Sequence, residues 1–242
     1  WESFDQVYLF GRLREAALRI NPSIDAELIE EAIKRLLRAE SQSLVDENAR
    51  VHKLLTDGVP VEYRAADGSV RTTSVRLIDF DTPANNDWLA VNQFTITEAG
   101  KSRRPDVLVF VNGLPLGLIE LKNLAAEAAT LKKAYTKIQN YRTDIPSVFT
   151  VNAVTVISDG TTAAMSSFSG GFEHYAPWKT IEGREVITDR SAMEVLIKGV
   201  FDQHRFLDIV RNFIVFSDET ITDSKGQRSR ALIKRVAKYH QY

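Results

Sequence analysis

The stretch from Arg103 to Lys122 leaves this chain the fewest choices. It reads Arg103-Arg104-Pro105-Asp106, then Val107-Leu108-Val109-Phe110-Val111, then Asn112-Gly113-Leu114-Pro115, then Leu116-Gly117-Leu118-Ile119-Glu120-Leu121-Lys122. Two apolar runs of strand length around an Asn-Gly pair predict a β-hairpin. A carboxylate opens the first run, and a carboxylate and an amine two residues apart close the second. Residues i and i+2 of a strand share a face, so Glu120 and Lys122 point the same way and Leu121 is expected to face the core. With a strict two-residue turn, residue 111 pairs with 114, and Asp106 pairs with Ile119 and faces away from Glu120. With a three-residue loop or a glycine bulge, 111 pairs with 115 and Asp106 lies opposite Glu120. The second register is adopted here.

Directly opposite strand residues have Cβ atoms about 5 Å apart. Two carboxylates at that distance can share one hard divalent cation, and magnesium would keep several of its waters. A cation so held can polarise a phosphate and acidify a bound water. Lys122 can orient that water or neutralise charge on the phosphorane. The same end charges can equally be solvated ends of an ordinary hairpin, although Asp and Lys are depleted in strands.

Pro105-Asp106 followed by Glu120-Leu121-Lys122 resembles the PD-(D/E)xK nuclease motif. Leu77-Ile78-Asp79-Phe80-Asp81, the run from Asn85 to Ile96, the run from Arg104 to Asn123, Gln139-Asn140-Tyr141, Ile145-Pro146 and Ile157-Ser158-Asp159-Gly160 resemble more. Together they look like the amino-terminal nuclease region of the restriction (motor) subunit of type I restriction-modification enzymes, from about Glu47 to Trp178. The resemblance implies a restriction-endonuclease-like core, an α/β fold whose mixed sheet carries the central hairpin between helices. It implies Asp106, Glu120 and Lys122 as catalytic residues, with Asp106 and Glu120 holding Mg2+ or Mn2+. It also implies in-line attack of water on double-stranded DNA with release of a 3′ oxygen and no covalent intermediate. The full subunit would couple ATP hydrolysis to DNA translocation in motor domains missing here, beside separate specificity and methylation subunits. Nucleases of this kind often carry an accessory acid on the helix before the sheet. Glu47 is the candidate, although an acid at a helix start is also what the helix dipole favours. The family commonly has Gln-x-x-x-Tyr on the following helix. Here Tyr141 fits the tyrosine, Lys137 stands in the glutamine position and Gln139 is displaced by two.

The 242 residues allow one large or two small domains, and a net charge of −1 means that any DNA contact must use a local patch. The chain has no cysteine, which excludes disulfides and thiolate metal sites and fits a reducing cytoplasm. The four histidines show no zinc-ligand spacing. No apolar run reaches the roughly 18 residues of a membrane span, and there is no GxxxxGK[ST] phosphate loop. A first residue Trp1 implies a trimmed start.

Residues 1–45 are expected to form a helical segment, 46–190 the PD-(D/E)xK core, and 191–242 a helical linker toward the missing motor. Ser23 is placed to cap one helix, and a second runs from Leu44 to a stop at Gly58. A hairpin over 59–80 turns at Asp67-Gly68. Asp79 and Asp81 read as turn chemistry. Trp88 to Thr97 reads as a strand, followed by a basic loop with Lys101, Arg103 and Arg104. Ala125 to Arg142 reads as a helix, Ser147 to Ser158 as a strand, Ser166 to Phe172 as a loop or a phosphate cradle, Ser191 to Phe206 as a helix, and Ile221 to Gln227 as a linker. Ala231 to Tyr242 is expected to begin a helix leading into the motor. Lys132, Lys133, Lys137 and Arg142 form either a solvated face or, with Arg103 and Arg104, a track for a DNA backbone. Tyr141, at helical spacing from Ile138, reads as core, with a contact to DNA as the alternative. Two other functions stay open: a repair or recombination nuclease of the same fold, and a non-catalytic DNA-docking or assembly module.

Overall fold

The computed structural model describes residues 6–122, 130–222 and 228–242. Three helices precede the main sheet. Helix α1 (Phe10–Ile20) buries Leu13, Ala16, Ala17 and Ile20, one face at helical spacing. Helix α2 (Ala26–Leu37) buries Ile29, Ala32, Ile33 and Leu36; its N-cap is Asp25 rather than Ser23, with no side-chain cap bond. Helix α3 (Leu44–Asp57) starts where the Ser43 hydroxyl accepts from the Asp46 amide and stops at Gly58, whose φ of 86° suits glycine. Strands β1 (Val59–Arg64) and β2 (Val70–Val75) then form the expected hairpin. Asp79 does the turn chemistry expected of it, accepting from the amides of Asp81 and Thr82.

The stretch 88–97 is not one strand. Strand β3 (Trp88–Asn92) stops just before Gln93, a non-glycine residue with φ 54°. The chain then folds into a short ribbon, β4 (Ile96–Glu98) with β5 (Lys101–Arg103), which takes up most of the expected basic loop. Strands β6 (Val107–Val111) and β7 (Leu114–Leu121) follow, then helix α4 (Leu131–Asp144), a 3-10 turn at Pro146–Thr150, strand β8 (Val154–Ser158) and strand β9 (Ala163–Ser166). The expected strand from Ser147 therefore starts at Val154, because Pro146 initiates a 3-10 turn instead. The first part of the expected helix, 125–129, lies outside the described residues; α4 is capped by Thr130, whose hydroxyl accepts from the Lys133 amide.

The five-stranded sheet has the order β3-β6-β7-β8-β9, with β7 and β8 parallel and every other pair antiparallel. A parallel neighbour needs a crossover, and α4 supplies it. Side chains alternate across the sheet. Leu108, Phe110, Leu118 and Ile157 pack on one face with Ile138 and Tyr141 of α4. Val111, Ile119, Val154 and Val156 pack on the other with the N-terminal helices and with α5 (Ala192–Val200) and α6 (Gln203–Asn212).

The central hairpin reaches its register by an unexpected route. Asn112 (φ 51°) and Gly113 (φ 76°) make a two-residue turn, so Val111 pairs with Leu114 rather than with 115. The extra residue comes later: Phe110 pairs with Pro115, but Val109 pairs with Gly117. Pro115 has no N–H for the ladder, and the Leu116 carbonyl turns to the Ala153 amide at 2.7 Å. The bulge brings Val107 opposite Ile119, so the next position puts Asp106 opposite Glu120.

Asn112 is also fully buried. Its amide donates to the Leu77 carbonyl and to Asn86 Oδ1, both at 2.8 Å, and its Oδ1 accepts from the Asp87 amide at 2.6 Å. Asn112→Ala removes these bonds and the side chain that tolerates the left-handed conformation. It is expected to lower stability by about 3 kcal/mol in urea unfolding; a loss below about 1 kcal/mol would mean that the network is slack.

The last segment corrects two expectations. The helix over 191–206 is two helices, α5 and α6, meeting near Phe201. Ala231 to Tyr242 does not begin a helix: β10 (Ile214–Thr222) and β11 (Arg228–Val236) form an antiparallel hairpin. Of the expected linker, residues 223–227 lie outside the described residues. The Ser166–Phe172 segment is tied to this hairpin, with the Ser167 hydroxyl donating to the Lys234 carbonyl at 2.6 Å. Among the described residues no helix is long and apolar enough to cross a membrane.

Candidate active site

Asp106 follows the buried Pro105 and stands at the head of β6. Its Oδ2 accepts from the Leu121 amide at 2.8 Å and its Oδ1 from the Gln93 side-chain amide at 2.8 Å. The Gln93 backbone N–H also donates to the Asp106 carbonyl at 2.9 Å. Glu120 shares the face of Leu118, so it enters the layer between sheet and α4 and is 0% exposed. Leu121, expected in the core, is 40% exposed. Its face is that of Ile119, but it lies at the strand end.

A buried carboxylate needs compensation, and three groups supply it. Glu120 Oε1 accepts from Lys122 Nζ at 3.0 Å and lies 2.5 Å from Lys137 Nζ. Glu120 Oε2 accepts from the Tyr141 hydroxyl at 3.2 Å. Lys137 Nζ is also 3.9 Å from Asp106 Oδ2. Lys137 and Tyr141 are four residues apart on α4 and so share a helix face.

Burial opposes ionisation of Asp106, but the Leu121 amide and its other partners outweigh it and hold the carboxyl below the usual range. Burial pushes Glu120 up, with Lys137 and Lys122 opposing and Asp106 adding to the rise. Burial raises the Tyr141 phenol, and the Glu120 charge raises it further.

Sequence reasoning brought Asp106, Glu120 and Lys122 together, and the structure does so too. It read Tyr141 as core, and Tyr141 is buried, yet its hydroxyl touches Glu120. It offered Lys137 as a DNA contact, and the structure places its ammonium against the two carboxylates. The four-residue spacing from Lys137 to Tyr141 was the available signal. Gln93 was missed; nothing local marks a residue that reaches Asp106 through a left-handed backbone.

The other candidates lie elsewhere. Glu47 is buried, paired with Arg50 and accepting the Glu40 and Ser41 amides at 3.1 Å; its described contacts include neither Asp106 nor Glu120. Arg103 and Lys101 both hold Asp144 at the end of α4, at 2.6 and 2.5 Å. Lys132 lies over the rings of Tyr135 and Phe172. Arg142 is half-buried over Phe168 and bonded to Gln139 at 2.6 Å. Arg104 and Lys133 are exposed.

Among the described residues no group of three or more His, Asp or Glu side chains gathers. The donor set that is present, two carboxylates side by side, nevertheless fits a hard cation that keeps its waters, since magnesium is commonly held by one or two carboxylates.

The chain belongs to the family of type I restriction enzyme R protein N-termini, which matches residues 2–174. It is 36% identical to the type I restriction enzyme HindI endonuclease subunit of Haemophilus influenzae, over 98% of this chain and 22% of that protein. A Methanocaldococcus jannaschii protein, provisionally named the type I restriction enzyme MjaIXP endonuclease subunit, is 26% identical over 91% of this chain and 23% of its own length. The chain thus spans less than a quarter of the curated relatives it matches.

Proposed function

We propose that this chain is the nuclease domain of a type I restriction endonuclease subunit, with a restriction-endonuclease-like core, and that it hydrolyses double-stranded DNA with magnesium. The observation that carries this reading is the facing of Asp106 and Glu120 across the bulged hairpin, with Lys122 bonded to Glu120. Asp106 and Glu120 would hold Mg2+ or Mn2+, which when bound supplies polarisation of the phosphate and an acidified water. Lys122 neutralises charge on the phosphate oxygens. The Leu121 amide and Gln93 orient Asp106, and Tyr141 orients Glu120. The exposed Arg104 and Lys133 offer charge to the DNA backbone. The nuclease core is assigned to residues 46–190. The whole subunit would act in the cytoplasm, coupling ATP hydrolysis to translocation in a complex with specificity and methylation subunits.

Titration calorimetry with Mn2+ tests the site. The unaltered chain is expected to bind, and Asp106→Ala or Glu120→Ala to weaken binding at least tenfold while circular dichroism shows the fold intact. Unchanged affinity in both folded variants would remove these two residues as ligands.

A further inference from the structure

The resting cluster carries its own compensation. Two carboxylates, Asp106 and Glu120, meet two amines, Lys122 and Lys137, and both amines reach the same oxygen, Glu120 Oε1. The two amines are not equivalent. Lys122 belongs to the tail of the hairpin that carries Glu120, and its side chain is 24% exposed. Lys137 comes from α4 across the layer, is 37% exposed, and is the amine with contacts to both carboxylates, at 2.5 and 3.9 Å. It therefore bridges the pair as a shared cation would. Its long, flexible stem lets the ammonium swing toward solvent without moving α4.

We propose that Lys137 is a built-in stand-in for the divalent cation. It neutralises the Asp106/Glu120 pair at rest, yields Glu120 when the cation arrives, and then presents its freed ammonium to the DNA phosphate. This rests on the assignment of Asp106 and Glu120 as ligands. The physical need is clear: two neighbouring carboxylates, one of them fully buried, would repel each other and lose hydration unless a positive charge stood between them. Lys122 alone compensates one charge of the two. The arrangement makes cation entry an exchange of one positive group for another. Apparent affinity is then lower than the ligand set would give unopposed, and the released amine becomes available only once the cation is in place.

The test is Mn2+ calorimetry together with thermal unfolding, on the unaltered chain, Lys137→Met, Lys137→Gln and Lys137→Arg, with Asp106→Ala alongside. Removing the competing charge is expected to raise Mn2+ affinity about tenfold in Lys137→Met and Lys137→Gln and to leave Lys137→Arg near the original value. Without Mn2+ the two neutral variants are expected to melt lower than the unaltered chain. With saturating Mn2+ they are expected to regain more of their melting temperature than the unaltered chain gains. Equal or weaker Mn2+ binding by both folded neutral variants would overturn the proposal and make Lys137 a permanent structural partner. Full binding by Asp106→Ala would instead overturn the ligand assignment beneath it, so the two failures are distinct.

Discussion

Lys122→Ala in the proposed restriction complex is expected, on the function proposed above, to lower DNA cleavage by about 10²- to 10³-fold while ATP hydrolysis continues. One positioned charge or donor at a developing oxyanion contributes about that much. Lys122 stands at the end of β7 with its ammonium 3.0 Å from Glu120 Oε1, and its substitution leaves the hairpin register and both carboxylates in place. Lys122→Met keeps the side-chain length and is expected to behave alike, which separates loss of charge from loss of packing. The measurement is plasmid cleavage beside phosphate release from ATP, with the variant chain in the full complex. Cleavage at the original rate would remove Lys122 from the chemistry. Loss of both activities would mean that the substitution had damaged assembly.

A second large effect is expected far from that cluster. Lys234, on β11, is 1% exposed. Its ammonium nitrogen donates to Asn48 Oδ1 at 2.9 Å and to the Asn152 carbonyl at 2.5 Å, and it lies near the rings of Phe168 and Phe216. Its described partners include no carboxylate. Burial pushes its pKa from the ordinary 10.5 down to about 7. The sign follows from proton counts. Above pH 7 the folded chain holds the neutral amine, whereas the unfolded chain stays protonated up to pH 10.5. The unfolded state binds more protons in that window, so stability rises with pH there, by about 1 kcal/mol per unit. Above about pH 10 the raised phenols of Tyr141 and Tyr175 oppose the trend. Lys234→Met is expected to abolish the rise, which urea unfolding between pH 7 and about pH 9 would read directly. His52 provides an internal control. Burial, then the nearby Lys234, lowers its pKa from 6.5 to about 4, so acid destabilisation between those values should persist in the variant. A stability curve that climbs equally in both proteins would show that Lys234 is not the group responsible.

Local chemistry was enough for several elements. Gly58 stops α3 because a left-handed residue acts within one turn of the helix. Asp67-Gly68 and Asn112-Gly113 mark their hairpins because few residue pairs accept those turn conformations. The facing of Asp106 and Glu120 was also legible, although by the wrong route. The register shift sits at Leu116 rather than in the turn: Pro115 has no donor for the ladder, and the Leu116 carbonyl accepts from the Ala153 amide instead. Leu121 was misplaced because alternation gives the face of a residue but not whether anything covers that face at the strand end.

The C-terminal segment shows the opposite case. Ala231-Leu232-Ile233-Lys234-Arg235-Val236 suits a helix by composition, yet it pairs residue for residue with β10 and buries the amine of Lys234. Its conformation is decided by partners distant in the chain. The amino-acid sequence by itself determined the central hairpin, its acidic and basic ends, and the stop of α3 at Gly58, because these follow from backbone preferences and side chains a few residues apart. Only the tertiary structure decided that Lys137 and Tyr141 converge on Glu120, that Gln93 holds Asp106, that Glu47 pairs with Arg50, and that a lysine lies in the interior. Those contacts depend on how α4, β3 and β11 are laid against the sheet, and no local preference carries that geometry.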